Sequence, residues 1–402
     1  MQELGLTQNA TREDTRYTPL ALYGLSRRRG AAERADRMVS VILLVLGFGG
    51  PPGFWDSGAP RDLAAVTVFH DGLAGVHNYR IPAIVQTASA LVALAEARDG
   101  GDNSASRIAV RVSHDDGLTW SPNVTFAAGS IDSPTARAAC AAGRKSCRVG
   151  NPAAVFDEVR QRVVLLHVLR GFGAGEDAVG TGLVTSTDGV HWDAPVDVSD
   201  SFGAAAGAMP GPGTALQLAA GGEAAGRLLV ASHQGAYTRD YVTLSDDGGV
   251  SWRTAARAFA GMDEAALTQL PNGSVLLNMR HKQSPSRGRA VAVSHDGGVT
   301  FGPLSYDAAL VSPVCQASIV SFGNATYFSN PASTSGRSHL SIRKSTNSAA
   351  SWASQLLVQA AASAGYSCLV KGALRGHADS GGLLYEAADG TIKFARFPLS
   401  LG

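Results

Sequence analysis

The feature that most constrains the fold of this chain is a short motif, Ser-x-Asp-x-Gly-x-Thr/Ser-aromatic, that recurs along it. Full copies occupy residues 113–120, 245–252 and 294–301. An apolar, strand-like run precedes each copy, so the Asp and Gly fall where a strand turns back, and the aromatic residue falls where the next strand begins. Three repeated hairpins predict a repeated antiparallel sheet.

Two partial copies extend the series. Residues 186–192 match with one residue deleted, and residues 345–352 keep the Ser and Trp ends but lack the Asp and Gly. The copies start roughly 50 to 75 residues apart, which is typical of propeller blades of about four strands each. We predict an all-β fold, a six-bladed β-propeller of four-stranded antiparallel sheets. Pairing of residues 391–397 with residues 65–69 would close the ring and remove both exposed sheet edges.

Composition supports this fold class and narrows the range of partners. The chain has 402 residues, of which 45% are hydrophobic, with 47 Gly and 17 Pro. This composition provides a large core and favours many short strands. A formal net charge of +1 gives no indication of a nucleic-acid partner. The four cysteines show no metal-binding spacing, so neither a metal site nor a cofactor is predicted. Cys140 and Cys147 fit a disulfide-closed loop and free thiols equally well.

The N-terminal region, residues 1–60, is predicted to lie outside the fold, which would occupy residues 61–402. Residues 1–37 are polar, and the apolar run 38–48 is shorter than the about 20 residues that a membrane-spanning helix needs. It is typical of a secretory signal. A start at Met38, a signal anchor and a mis-assigned exon remain alternatives. We expect no stable membrane span.

Three sequons, beginning at Asn123, Asn272 and Asn324, are compatible with a lumenal or extracellular route. Together with the signal-like run, they predict localisation to the secretory pathway, either in a lysosome-like compartment or outside the cell, with a signal anchor as the alternative.

The Asp and aromatic residues of the repeats are interpreted as structural, so catalytic residues must lie elsewhere. Tyr79-Arg80-Ile81-Pro82 places an arginine between an aromatic residue and Ile-Pro at a strand entrance. The next strand ends in the charged segment 96–99, which a Gly-rich loop containing Asp102 follows. A single arginine in this position would most simply be a surface residue. Several further segments of the chain, however, match the motifs of one known family together with it.

These segments resemble the exo-sialidases, a family whose arginine motif reads Phe/Tyr-Arg-Ile-Pro and precedes Ala-Glu/Asp-x-Arg. Residues 263–280 resemble the family's segment that joins the catalytic Glu to a second Arg. Residues 328–343 resemble the strand with the third Arg, and residues 364–369 resemble the nucleophile's segment. The resemblance covers about residues 64–400 and is closest to the lysosomal-type sialidases of animals. Repeated turns of this kind are called Asp boxes in that family.

The resemblance implies a role for each matched residue. Arg80, Arg280 and Arg337 would bind the substrate carboxylate, since guanidinium groups form planar, paired hydrogen bonds that lysine does not. Arg98 would contact the polar rim of the sugar. Glu96 and Glu386 would hold Arg80 in place.

The resemblance also assigns the chemistry. Tyr366 would be the nucleophile and Glu264 its base, because sialidases use a tyrosine where most glycosidases use a carboxylate. Asp102 would protonate the leaving oxygen and later activate water. Asp99 remains an alternative acid, and Asp263 remains an alternative to Glu264.

The predicted function is retaining hydrolysis of terminal α-linked sialic acids on glycoproteins, glycolipids or oligosaccharides. A trans-sialidase and a hydrolase of deaminated sialic acid would share the same core and remain alternatives. A non-catalytic propeller that binds sialosides is a third alternative, although the residues of the expected catalytic set are all present in the sequence.

Overall fold

The structure is a computed structural model, which describes residues 62–102, 104–128, 146–172, 178–220, 222–283, 287–361, 365–371 and 379–401. The side chains of residues 146–148, 170–172 and 178–179 are not described. The predictions for residues 1–60 and for the Cys140–Cys147 pair therefore lie outside the described residues.

The strands follow one another blade by blade. The opening strand and the first blade are β1 (Ala65–Phe69), β2 (Asn78–Gln86), β3 (Leu91–Arg98), β4 (Ser106–Ser113) and β5 (Thr125–Ala128). The second blade contains β6 (Ser146–Asp157), β7 (Arg162–Phe172), β8 (Ala178–Ser186) and β9 (Val196–Asp197). The third contains β10 (Met209–Pro210), β12 (Leu216–Gln217), β13 (Leu228–Gln234), β14 (Arg239–Ser245), β15 (Arg253–Thr254) and β16 (Phe259–Ala260). The short strand β11 (Gly213–Thr214), between β10 and β12 in the chain, pairs in parallel with β6 of the second blade.

The remaining blades are more regular. The fourth contains β17 (Met262–Gln269), β18 (Val275–His281), β19 (Arg289–Ser294) and β20 (Ser305–Asp307). The fifth contains β21 (Ser318–Phe322), β22 (Ala325–Pro331), β23 (Leu340–Ser345) and β24 (Ser354–Gln359). The sixth contains β25 (Ser367–Val370), β26 (Ser380–Glu386) and β27 (Ile392–Pro398), and β1 is its fourth strand.

The pairing of β1 with β27 closes the ring as predicted. The register places Ala65 opposite Ala395 and Val66 opposite Phe394. The sheet order β25-β26-β27-β1 thus joins the first described strand to the last. The predicted all-β, six-bladed propeller is confirmed.

The first three blades depart from the simple four-stranded pattern. A short parallel pairing between β4 and β6, at Ser106 and Arg148, joins the first two blades into one continuous sheet. In the third blade, β13 pairs with both β10 and β12, and β14 pairs with both β15 and β16. The repeat pattern predicted the number of blades. The short, interrupted strands of the third blade have no comparable pattern in the sequence.

Each of the three full Asp boxes forms the same hydrogen-bonded turn. In the fourth blade, Asp296 accepts hydrogen bonds from the Thr300 backbone N–H at 2.9 Å and from the Thr300 hydroxyl at 2.5 Å. The Ser294 hydroxyl donates to Asp296 at 2.7 Å and accepts from the Gly298 N–H at 2.8 Å. The Asp and Ser side chains therefore satisfy the turn's own polar groups, which supports their structural interpretation.

The glycine of each full box also packs against the preceding blade. Gly298 has φ +87°, and a Cβ there would lie 2.0 Å from the Leu229 side chain of the third blade. A Cβ on Gly117 of the first blade would lie 2.1 Å from the Phe394 ring of the sixth. Glycine is thus required both by the left-handed backbone and by contact with the neighbouring blade. The Asp boxes set the packing between blades as well as the turns within them.

The degenerate copy at residues 345–352 keeps the turn with different side chains. Asn347 accepts from the Ser351 N–H at 2.9 Å, and its amide donates to the Ser351 hydroxyl at 2.8 Å. Ser348 and Ala349 adopt φ +55° and +61°, where the full copies carry more permissive residues. An asparagine therefore replaces the aspartate as the acceptor of the turn, while Ser348 and Ala349 adopt the left-handed conformation.

Replacing Asp296 by Ala is expected to lower the free energy of unfolding by about 0.5–1.5 kcal/mol, because the exposed donors of the turn lose their protein acceptor and bind water instead. Burial opposes the charge of Asp296, but the Thr300 hydrogen bonds outweigh it and lower its pKa to about 2. The stabilisation is therefore present above the ordinary aspartate pKa and is lost as pH falls toward 2. Chemical denaturation at pH 7 and pH 3 measures both effects. His295→Ala, an exposed neighbour in the same turn, is the control, and an equal loss in both variants would contradict the prediction.

Candidate active site

The predicted site residues lie at one end of the propeller, where the first strand of a blade begins and the second ends. Arg80 and Glu264 lie near the starts of β2 and β17, and Tyr366 directly precedes β25. The end of β3 carries Glu96 and Arg98, the end of β18 carries Arg280, and the end of β26 carries Glu386. Arg337 lies in the turn between β22 and β23. Antiparallel pairing therefore brings residues from four blades to one rim.

Tyr366 and Glu264 form the centre of the site. The Tyr366 hydroxyl donates a hydrogen bond to Glu264 Oε1. Arg280 donates to Glu264 Oε2 at 2.5 Å and to the Tyr366 oxygen at 3.2 Å. Burial and then the Glu264 carboxylate raise the pKa of Tyr366 well above its ordinary value. The phenol is thus protonated at rest, with a carboxylate in place to accept its proton.

Glu386 binds both Arg80 and the backbone that carries Tyr366. Its Oε1 accepts from Arg80 Nε at 2.7 Å and from the Ile81 N–H at 2.8 Å. Its Oε2 accepts from the Tyr366 N–H at 2.9 Å. Burial opposes the charge of Arg80, but the Glu386 carboxylate outweighs it and raises the pKa of Arg80 above its ordinary value. One buried carboxylate thus fixes an anion-binding group relative to the tyrosine.

Local irregularities in the inner strands direct these side chains into the site. The β2–β3 register shifts between Arg80 and Ala83, and Ile81 adopts φ +59°, which is unusual for a β-branched residue. The β17–β18 register shifts between Asp263 and Ala265, so Glu264 lies in a bulge. A bulge changes the direction of a side chain at the edge of a sheet. Arg80 therefore lies inside β2, whereas the sequence placed it just before the strand.

Glu96 forms an ion pair with Arg98. Glu96 Oε2 lies 2.6 Å from the Arg98 guanidinium, and its Oε1 accepts from the Asn151 N–H at 2.6 Å. Arg80 lies directly across from Glu96 in the β2–β3 register. Two acidic residues were predicted to hold Arg80. The described hydrogen bond from the Arg80 side chain runs to Glu386.

Asp102 lies at the rim of the site, with 77% of its side chain exposed. It ion-pairs with the buried Arg98 and lies 3.7 Å from the Arg80 guanidinium. The alternative acid Asp99 is exposed directly after β3. Asp102 is thus a solvent-accessible carboxyl group held beside Arg80 by the Arg98 side chain.

Arg337 completes the ring of cations. Its guanidinium carbon lies 5.6 Å from the centre of the Tyr366 ring, and that of Arg80 lies 5.9 Å from it. With the hydrogen bond from Arg280 to the Tyr366 oxygen, three arginines from different blades surround one phenol. This arrangement can bind an anion next to the tyrosine.

Tyr237 is a residue of this region that the sequence reading missed. It adopts φ +58° in the β13–β14 turn, and its ring lies 5.3 Å from the Arg280 guanidinium carbon and 4.2 Å from Lys282 Nζ. Burial raises its pKa above the ordinary value. No repeat or motif includes Tyr237. An aromatic residue in the turn between two strands was the available sequence signal.

Asp263, the alternative to Glu264, instead supports the bulge. Its Oδ1 accepts from the Glu264 N–H at 2.8 Å and lies 3.7 Å from His233 Nε2. The described hydrogen bond of the Tyr366 hydroxyl runs to Glu264, whereas Asp263 binds the Glu264 backbone. Within the described part of the chain, no group of three or more His, Cys, Asp or Glu side chains is arranged to hold a metal ion.

The fold and this site define a class: Asp-box β-propellers with a tyrosine–glutamate pair inside a ring of arginines. The chain belongs to the BNR repeat-like domain family, whose description matches residues 89–374.

The chain is similar to curated sialidases. It is 30% identical to a sialidase of Micromonospora viridifaciens over 387 residues, which covers 87% of this chain and 55% of that protein. It is 26% identical to an exo-α-sialidase of Aspergillus fumigatus, with 67% of this chain and 68% of that protein covered. The chain thus spans about half the length of the Micromonospora relative.

A solved structure agrees with this similarity. "Hadza microbial sialidase Hz136" superposes with a TM-score of 0.70 at 25% identity and covers 83% of this chain and 68% of its own. An intramolecular trans-sialidase of Ruminococcus gnavus, with a TM-score of 0.68 at 20% identity, shares the fold, covering 85% of this chain and 99% of its own.

Proposed function

We propose that this protein is a retaining exo-α-sialidase that hydrolyses terminal α-linked sialic acids on glycoproteins, glycolipids or oligosaccharides. The observation that carries the proposal is the hydrogen bond from the Tyr366 hydroxyl to Glu264 inside the ring formed by Arg80, Arg280 and Arg337. The similarity to curated sialidases supports the same activity.

The arginines explain the choice of sugar. A sialic acid carries a carboxylate on the carbon that also bears the leaving group, so a binding site needs cations next to the reacting centre. Arg80 forms an ion pair with Glu386, and Arg280 forms one with Glu264. Both guanidinium groups therefore stay positively charged. Guanidinium groups can bind a carboxylate through paired hydrogen bonds. The positions of the three groups around the phenol support binding of that carboxylate beside Tyr366.

The tyrosine explains the reaction. A neutral phenol approaches a carbon flanked by a carboxylate without the charge repulsion that an Asp or Glu nucleophile would meet. In the first step, the Tyr366 oxygen bonds to the anomeric carbon, the glycosidic C–O bond breaks, and Glu264 takes the phenolic proton. Asp102, after taking up a proton from the solvent to which it is exposed, gives that proton to the leaving oxygen.

The second step regenerates the enzyme. Asp102, now a carboxylate, removes a proton from water, and the water oxygen bonds to the anomeric carbon. The bond to Tyr366 breaks, and Glu264 returns the proton to the phenolate. Two inversions leave the anomeric configuration unchanged. The 77% exposure of Asp102 fits this role, because that group must exchange with the leaving sugar and with water.

We place the enzyme in the secretory pathway, in a lysosome-like compartment or outside the cell. The sequon asparagines Asn123, Asn272 and Asn324 are all exposed, as glycan acceptors must be. No helix of the described residues is long and apolar enough to cross a membrane. The particular likeness to the lysosomal-type enzymes of animals stays a prediction.

The purified protein is expected to release sialic acid from a fluorogenic α-sialoside, with the α-anomer of the free sugar as the first product. Proton NMR of the early reaction measures both. Matched α-2,3-linked, α-2,6-linked and deaminated substrates, with and without lactose as acceptor, distinguish a hydrolase from a transferase. Binding of sialosides without any turnover would contradict the proposal and favour a sugar-binding propeller.

A further inference from the structure

Gln316 forms a paired contact with the backbone next to Tyr366. Its side-chain Nε2 donates to the Ser367 carbonyl at 3.0 Å, and its Oε1 accepts from the Ser367 N–H at 3.0 Å. Gln316 is only 2% exposed and lies just before β21 of the fifth blade, while Ser367 begins β25 of the sixth. A single carboxamide therefore satisfies both polar groups of one residue across a blade boundary.

The contact replaces a missing strand neighbour. On one side, β25 pairs with β26, where the Glu386 N–H donates to the Tyr366 carbonyl at 2.9 Å. On the other side, side chains of the fifth blade bind β25: the Leu369 N–H donates to Ser318 Oγ at 2.9 Å, and Ser329 and Ser367 share a hydroxyl hydrogen bond of 2.9 Å. On this side, Gln316 binds both backbone groups of Ser367, the residue after Tyr366, whereas Ser329 binds the Ser367 side chain.

We propose that Gln316 is a positioning residue that fixes the Tyr366 oxygen against Glu264; this proposal rests on the proposed function of the site. The carboxamide copies the donor and acceptor of a peptide group, so it holds Ser367 as a neighbouring strand would. Tyr366 is the next residue, and its phenol must point at the anomeric carbon. A displacement of about 1 Å in a reacting group costs on the order of 10²-fold in rate.

The direct test is Gln316→Met, which keeps similar bulk and removes both hydrogen bonds. We expect kcat on a fluorogenic α-sialoside to fall by about 10- to 100-fold. KM and the Kd for free sialic acid are expected to change by less than about threefold, because the arginines that bind the carboxylate keep their own partners. Steady-state kinetics and calorimetric titration give these quantities.

Gln217 offers a matched control. It also bridges two blades, since its Oε1 accepts from the Glu158 N–H at 2.7 Å and its Nε2 donates to Asp157 at 2.7 Å. It lies away from the catalytic rim, beside the far end of β6. Gln217→Met is expected to lower thermal stability but to leave kcat within about twofold of wild type, so the pair separates positioning from general destabilisation.

Gln316→Glu gives a second test in which the hydrogen bonds can be restored. A protonated carboxyl both donates and accepts, so it can copy the amide, whereas a carboxylate has no proton to donate to the Ser367 carbonyl. The kcat of this variant relative to wild type is expected to be highest at low pH and to fall as pH rises through the pKa of the new carboxyl. Gln316→Met should show no such recovery at low pH.

The outcomes are distinct. If wild type hydrolyses sialosides and both Gln316 variants keep kcat within twofold at all pH values, the positioning role is overturned and the proposed function stands. Loss of sialic-acid binding in parallel with kcat, or failure of both variants to fold, would show a structural role and also overturn it. If wild type itself has no activity, the proposed function fails instead.

Discussion

Tyr366→Phe is expected to lower kcat by at least ~10³-fold, because it removes the only atom of that side chain that can bond to the anomeric carbon. The ring would remain packed against Ile81 and Cys315, so the fold and the arginine positions should be kept. The Kd for free sialic acid is therefore expected to change little. Single-turnover kinetics with a fluorogenic α-sialoside and calorimetric titration measure the two quantities.

Tyr327→Phe is the matched control for this substitution. Its buried ring also loses a described hydrogen bond, from the hydroxyl to the Leu399 carbonyl at 2.9 Å, but Tyr327 lies in the fifth blade away from the site. Its kcat should stay close to wild type. Wild-type-like turnover in Tyr366→Phe would remove the tyrosine from the nucleophile role.

Glu264→Gln should cause a comparable loss if the two groups act as one unit. The raised pKa of Tyr366, caused first by burial and then by Glu264, keeps its proton in place across the physiological range. The proton must therefore leave during attack, and the described acceptor is Glu264. Residues that act together in this way have effects that do not add. The double variant is expected to be no slower than Tyr366→Phe alone.

The fold was predictable because its signal is repeated. Each Asp box encodes a turn through local hydrogen bonds, as at Asp296 and Thr300, and those bonds are determined by residues four apart in sequence. Ring closure followed from one apolar segment at each end, and β1 pairs with β27 as expected. The short strands of the third blade and the β4–β6 pairing were not predictable, because they depend on how blades meet rather than on local pattern.

The site was predictable only in part. Family-like motifs located Arg80, Glu264 and Tyr366, and the structure brings these residues together. The motifs do not show that Ile81 adopts a left-handed φ or that Glu96 pairs with Arg98. The left-handed φ accompanies the β2–β3 bulge, which forms only when the two strands pair. The Glu96–Arg98 pair joins residues two apart on one strand, but the sequence does not distinguish it from a pairing of Glu96 with Arg80.

Gln316 illustrates the same limit. It lies in no repeat, and its contact to Ser367 joins residues 51 positions apart across two blades. A glutamine before an apolar strand has no sequence feature that distinguishes it from a surface residue. The contact becomes visible only through its burial and its paired geometry.

Glu386→Gln is expected to damage both binding and chemistry. The carboxylate accepts three hydrogen bonds, two at Oε1 from Arg80 and Ile81 and one at Oε2 from Tyr366. An amide has one acceptor oxygen, so its NH₂ group must face a donor on one side or the other. The loss of a hydrogen bond to a charged group lowers the free energy of unfolding by about 1.5–3 kcal/mol. Arg80 also loses its paired anion.

The kinetic signature separates this variant from Tyr366→Phe. Because Glu386 contacts both Arg80 and the Tyr366 backbone, the Kd for free sialic acid should rise by about tenfold and kcat should fall by about 10- to 100-fold. Asp389→Asn is the control, since it removes an exposed ion pair with Lys393 in the same blade and should alter neither quantity by more than about twofold. A fall in kcat with unchanged sialic-acid affinity would show that Glu386 acts on the tyrosine alone and that Arg80 keeps its position without it.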